Sequence, residues 1–230
     1  MNSSLVKQLK SLVQEKHLLQ HPFYRMWDTG KLPRAVLSKY AEQYYHLENN
    51  FPRFLSQLHV NCADPAIRQI ITDNLYDEEH GVDNHRELWL RFGETVGATR
   101  QDMIGAILLP ETQTTLMILR ELCSFSLIGG IAALAVYETE LADVAETKIM
   151  GLTTYYGITD ESGLVFFRAH GIQDQHHSEA WWQIITEAST PALEAEVHHA
   201  VIEARDTLWN FLDGICRVYV PGVLTTTVCN

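Results

Sequence analysis

Cysteine is scarce in this chain and poorly placed for its usual chemistries. The 230 residues hold four, Cys62, Cys123, Cys216 and Cys229, far apart and without a CxxC pair, which argues against a zinc knuckle, an iron–sulfur cluster and a disulfide framework. They read as free thiols in a reducing cytosol, so a cytoplasmic protein is expected. Basic residues are also few: 17 Lys and Arg stand against 29 Asp and Glu, a formal charge of -12. That balance opposes binding to nucleic acid or to an anionic membrane surface and leaves small molecules or proteins as partners. No apolar run approaches the ~18 residues of a membrane-spanning helix. The first residues, Met1 to Lys16, mix Lys7, Lys10, Glu15 and Lys16 among their apolar positions, unlike a signal peptide. Paired strands with turn signals and fixed-period repeats are missing as well.

What is present is helical periodicity and enough apolar residues, 46%, to fill a core. Leu5, Leu9, Leu12 and Val13 mark a first helix, and Val36 to Asn49 a second, with Leu37, Tyr40, Tyr44 and Leu47 on one face. Another starts at Phe51-Pro52 and runs to Asn61. Asp64-Pro65 opens a long helix to Phe92 whose stripe is Ile67, Ile71, Leu75, Glu78, Val82, His85 and Trp89. A short helix is expected from Arg100 to Leu108 in an otherwise loop-like stretch. A very long one then runs from Thr114 to Met150 with Gly129-Gly130 inside it, where a kink, close packing or room for a ligand is implied. The His170 helix should reach Ala188, and a last helix runs from Pro191 to Asp213. The fold class is therefore an all-α bundle of about seven or eight helices. One domain over residues 1–217 is expected, with a C-terminal tail over 218–230. The oligomeric state is left open, a homodimer included.

Ionisable residues interrupt three of the apolar stripes. His170, Asp174 and His177 are spaced by four and then three, so they share a helix face with Phe166, Trp181 and Ile184. Glu78 and His85 lie two turns apart on the Asp64 helix, about 20° from one direction. Glu138 interrupts the stripe of the glycine-containing helix. A buried imidazole or carboxylate without a partner costs several kcal/mol, and a sequence rarely accepts that repeatedly for stability alone. Three imidazoles and three carboxylates suit two first-row metal ions, and nitrogen with oxygen donors suits iron or manganese. The His170 helix then reads as half of the site and Glu78, His85 and Glu138 as the other half. His80, His176, His198 and His199 fall out of phase or among charges and read as solvated. His17, His21, His46 and His59 read as caps or pocket edges.

The runs that carry these residues resemble a known family. Asp77-Glu78-Glu79-His80-Gly81-Val82-Asp83-Asn84-His85, then Tyr137-Glu138, then His170-x3-Asp174-x2-His177 resemble the dimetal site of the haem-oxygenase-like oxidases. Within them they are most similar to the branch of the Chlamydia protein associating with death domains and its bacterial relatives, implicated in making para-aminobenzoate for folate. His21-Pro22-Phe23-Tyr24 with Trp27, Tyr40-Ala41 with Tyr44-Tyr45, and Lys148-Ile149 before Gly151-Leu152-Thr153 extend the resemblance over Leu9 to Gly214. It implies a haem-oxygenase-like bundle holding two iron or manganese ions, with molecular oxygen as co-substrate and an external reductant. It further implies that Tyr24 supplies the aromatic ring of the product, that Lys148 supplies its nitrogen, and that Tyr40 and Tyr137 belong to the same site. By helical phase Lys148 lies about 80° off the face of Glu138, so only its long side chain or a helix bend brings it near. Phe166 departs from the family pattern, which places a tyrosine there. The tail after Arg217 shows no resemblance, and an association with death domains is not carried over.

Four other readings make different demands. A metal-free thiamin-degrading hydrolase of the same superfamily needs a nucleophilic cysteine, for which Cys123 is the helix-core candidate; a cofactor-free oxidase like the pyrroloquinoline-quinone synthases needs no metal. Haem binding would use His17 and Gly129-Gly130. A regulatory interaction protein would keep the metal as a structural element only.

Overall fold

The computed structural model describes residues 2–188 and 190–224. Among them are ten α-helices, one 3-10 turn and no strand. The helices are α1 (Asn2–Glu15), α2 (Pro22–Asp28), α3 (Arg34–Asn61), α4 (Pro65–Glu79), α5 (His85–Thr95), α6 (Arg100–Ile104), α7 (Pro110–Phe125), α8 (Leu127–Tyr155), α9 (Glu161–Ala188) and α10 (Pro191–Tyr219). A 3-10 turn over Leu18–Gln20 joins α1 to α2.

The organising element is α8. Ile131 to Val136 are all fully buried, so this helix is apolar all round, as a helix enclosed by neighbours must be. It packs against α9, α10 and α7, while α3 closes the other side through α4, α5 and α7. No described helix is long and apolar enough to cross a membrane, and the apolar run of α8 is core.

Ten helices exceed the seven or eight expected from periodicity: two expected helices are each split, two are joined, and α2, which Pro22 starts behind the His21 cap, was not expected. The expected 64–92 helix is two. Gly81 takes φ 81°, a conformation costly for residues with a Cβ, and Asn84 then caps α5 by accepting from the Glu87 N–H. Val82, placed on the stripe by periodicity, is 81% exposed at this turn. The expected 114–150 helix also breaks, at Ser126, whose hydroxyl accepts from the Gly129 N–H and starts α8. Conversely, the helices expected on either side of Pro52 are one, α3. The short helix from Arg100 stops at Ile104, and α10 continues past Asp213 to Tyr219. Of the expected tail, residues 225–230 lie outside the described residues.

His17 and His21 cap the elements around Tyr24. The Nδ1 atom of each accepts a backbone N–H, from Leu19 and Phe23 respectively, and each Nε2 meets a carboxylate, Asp143 at 2.9 Å and Asp213 at 3.1 Å. Both nitrogens of His17 are thus engaged, which removes it as a haem ligand. A Cβ on Gly130 would meet Leu58 at 2.5 Å and the Cys123 Cα at 2.8 Å, so Gly130 serves close packing of α8 on α3 and α7.

Candidate metal centre and tyrosine pocket

Four helices besides α8 deliver ionisable side chains into the bundle interior. One group consists of Glu48 from α3, Glu78 from α4, His85 from the start of α5 and His170 from α9, with one potential ligand atom from each lying within 4.8 Å of the others. A second group, by the same measure, consists of Glu138 from α8 with Asp174 and His177 from α9. All seven residues are buried. The six residues singled out by helical phase all lie here, but they divide differently. His170 joins Glu78 and His85, while Asp174 and His177 join Glu138, so α9 serves both groups. Glu78 and His85 share no helix; the Gly81 turn brings them together.

Each histidine has its tautomer set from outside. His170 Nδ1 donates to the Phe166 carbonyl at 2.9 Å, His85 Nε2 donates to the Gln173 amide oxygen at 3.0 Å, and His177 Nε2 lies 3.2 Å from the Asp77 carboxylate. The nitrogens left over are His170 Nε2, His85 Nδ1 and His177 Nδ1, and these face the carboxylates Glu48, Glu78 and Glu138 at 3.7, 3.0 and 3.8 Å. Backbone, amide or carboxylate partners on the far nitrogen are how metal-binding imidazoles are held. Glu138 is oriented in turn by Asn74 Nδ2, which donates to it at 2.6 Å, and by Trp181 Nε1.

Four inward atoms have no hydrogen-bond partner: Glu78 Oε2, His85 Nδ1, Asp174 Oδ2 and His177 Nδ1. His85 Nδ1 lies close to Glu78 Oε1 yet misses hydrogen-bonding geometry, as two ligands aimed at a third atom would. Buried polar atoms are normally paired, so this set fits cations between them. The electrostatics agree. Burial first, then repulsion from neighbouring carboxylates, pushes Glu48 and Glu138 up to about 8 and Asp174 well above the ordinary carboxylate range. His85 is raised to about 9, its Glu78 and Glu48 neighbours outweighing the opposing effect of burial. Desolvation lowers His170 and His177.

Beside this cluster lies a box of tyrosines. The Tyr24 and Tyr40 hydroxyls are 3.4 Å apart, and those of Tyr44 and Tyr137 are 3.0 Å apart, with Tyr137 stacked on Phe51. Burial raises the pKa of all four phenols, keeping them protonated. They line, with leucines and Phe211, an enclosed space of about 20 Å³, roughly one water molecule. Lys148 reaches into the box despite its phase on α8. It is 1% exposed, and its Nζ lies 5.3 to 5.6 Å from the ring centroids of Tyr24, Tyr40, Tyr44 and Phe167. Desolvation lowers its pKa to about 7, against the pull of Glu48 and Asp174.

A family model described as TENA/THI-4/PQQC matches residues 6–217. The chain belongs to this TENA/THI-4/PQQC family. A 4-aminobenzoate synthase of Nitrosomonas europaea is 41% identical over 229 residues, covering 95% of this chain and 93% of that protein. One from Chlamydia muridarum is 33% identical, covering 91% and 89%. Among solved structures, a TenA homologue from Pseudomonas syringae superposes with TM-score 0.80 at 17% identity, covering 94% and 92%. A Shewanella denitrificans domain with a haem-oxygenase-like fold gives 0.78 at 17%, covering 99% and 96%, so the fold is of that type.

One alternative, a nucleophilic thiol, can be weighed on this chain's own residues. Cys123 is fully buried with its thiol pKa raised by desolvation, the opposite of an activated nucleophile. Two surface clefts, of about 480 and about 420 Å³, share no residue with the buried cluster. A smaller cleft of about 260 Å³, bounded by Asn49, Glu79, Asn84 and Arg86, opens onto Glu78. Sequence reasoning missed Glu48 and gave Tyr44 no role, although both share the α3 face of Tyr40 at intervals of four.

Proposed function

We propose that this chain is an oxygen-dependent dimetal 4-aminobenzoate synthase that uses its own Tyr24 as the source of the aromatic ring and Lys148 as the source of nitrogen. The observation that carries the reading is the position of the Lys148 amine, buried against the Tyr24 ring at 5.5 Å and electrostatically coupled to Glu48 and Asp174 of the donor cluster. The 41% identity to the Nitrosomonas europaea 4-aminobenzoate synthase supports the same product.

Two iron or manganese ions held by Glu78, His85, Glu138, His170, Asp174 and His177 would supply dioxygen binding and redox equivalents. The chain's own residues do the rest. The carbonyl, amide and carboxylate behind the three imidazoles fix their tautomers. The tyrosine box leaves room for no more than about one water molecule, so that an oxidised Tyr24 is shielded from bulk solvent. Tyr40 holds the Tyr24 hydroxyl in place, and Tyr137 and Tyr44 hold each other. Near neutral pH a large fraction of Lys148 carries a free electron pair, which a nucleophile requires. Dioxygen and an external reductant are the small-molecule partners. The charge of -12 supports no role for nucleic acid, and the three free thiols buried among the described residues suit a cytoplasmic setting.

The test is anaerobic loading with iron and manganese, elemental analysis, exposure to oxygen with a reductant, and mass mapping of the peptides. The expected outcome is about two metals per chain, 4-aminobenzoate in the supernatant, and altered peptides containing Tyr24 and Lys148. Product formed from a chain whose Tyr24 peptide keeps its mass would rule out the self-consuming reading.

A further inference from the structure

Glu48 occupies a place that the six-residue ligand set does not account for. It lies one turn beyond Tyr44 on α3, is 2% exposed, and brings an oxygen within 4.8 Å of the ligand atoms of Glu78, His85 and His170. Its Oε1 is 3.7 Å from His170 Nε2, the nitrogen left free when Nδ1 donates to the Phe166 carbonyl. We propose that Glu48 is a seventh protein ligand for a divalent first-row cation and makes the two metal positions unequal. The inference rests on the dimetal reading above.

Two arguments carry it. The first is charge. Glu48, Glu78, Glu138 and Asp174 are four carboxylates, together -4 when ionised, and two divalent cations bring +4. Without Glu48 the buried centre would hold a net +1, and uncompensated buried charge is strongly unfavourable. The second is the donor set. With Glu48, one position has two imidazoles and two carboxylates, whereas Glu138, Asp174 and His177 give the other one imidazole and two carboxylates. The four-donor position binds its ion more tightly, and the three-donor position keeps more places for a small molecule. The competing role for Glu48 is counter-ion to Lys148, whose charge it favours. That role predicts weaker binding through charge alone in Glu48→Gln, with the signal of the bound ion unchanged.

The deciding experiment titrates the metal-free full-length protein with Mn(II), reading free ion by electron paramagnetic resonance and tight binding by competition with a chelator. Wild type should take two ions per chain with distinct affinities. Glu48→Gln keeps size and removes charge; it should weaken the tighter position at least tenfold, change the signal of the bound ion there and leave the weaker position unaltered. Lys148→Met, which removes a cation beside the cluster, should weaken neither position. Should Glu48→Gln fail to refold, as judged by circular dichroism, Glu48→Asp, which keeps the charge and draws the carboxylate back by one methylene, should still weaken the tighter position. Two ions at wild-type affinities in the folded Glu48 variant would overturn the inference while leaving the dimetal reading intact. Wild type taking up no metal would overturn both.

Discussion

At the scale of single residues, the centre depends on where proton-binding groups are held and by what. Lys148 is the sharpest case, a cationic side chain with its amine enclosed by aromatic rings and its pKa lowered to about 7 by desolvation. If its free electron pair is what the reaction uses, nitrogen incorporation in single turnover should rise with pH through about 7 and level off above. Lys148→Arg, which stays protonated, should abolish incorporation while metal content stays unchanged. A pH-independent yield, or an active arginine variant, would remove the lysine from the chemistry. Sequence phase left this residue uncertain because a helical wheel gives the direction of Cβ, whereas a lysine amine lies several ångströms further on. Glu48 was legible in principle, four residues beyond Tyr44 and eight beyond Tyr40, but α3 carries many polar residues and only contact with other helices distinguishes this one.

At the scale of elements, α2 and α8 hold Tyr24 and Lys148 together. Trp27, one turn after Tyr24, donates through Nε1 to the Lys148 carbonyl at 3.2 Å, and its ring packs where Gly151 has no side chain. A Cβ at Gly151 would lie 2.5 Å from Trp27 Cδ1 and 3.2 Å from its backbone oxygen, so α2 would have to move. Gly151→Ala should therefore cost about 1–3 kcal/mol in a urea titration, as overpacking of a core does. It should also lower the yield of modified Tyr24 beyond what the loss of folded protein explains. Unchanged stability would mean that α2 is not seated on α8 in this way. The helix ends were partly legible: Asp64-Pro65 and Pro191 do begin helices. The breaks at Gly81 and Ser126 were not, because the apolar pattern runs on through both and only a positive φ or a capping hydroxyl stops the helix.

At the scale of the whole molecule, the buried cluster makes folding depend on pH. Glu48 and Glu138 bind protons up to about 8 in the folded state, Glu140 up to about 7 and His85 up to about 9, against reference values of 4.5 for the carboxylates and 6.5 for the imidazole. Raised values mean that the folded state holds more protons, so this stability is complete below the reference values and is lost as pH rises through the folded ones. Lys148 acts in the opposite sense, and His170 and His177, lowered below 6.5, contribute only at lower pH. Between about 6.5 and 8 the carboxylates and His85 outnumber the lysine, so the metal-free protein should melt at a lower temperature at pH 8 than at pH 6.5. Added Mn(II) should restore more at pH 8, because metal binding requires deprotonated ligands. A metal-free melting temperature that rises over that interval would refute the arrangement. The sequence by itself determined the helical class, the acidic charge and the single face shared by His170, Asp174 and His177, since spacing within one helix is rigid. Only the tertiary structure decided that His170 joins Glu48, Glu78 and His85 while Asp174 and His177 join Glu138, and that Lys148 lies among the tyrosines. Those pairings are distances between helices, set by how whole faces pack, and no local periodicity encodes them.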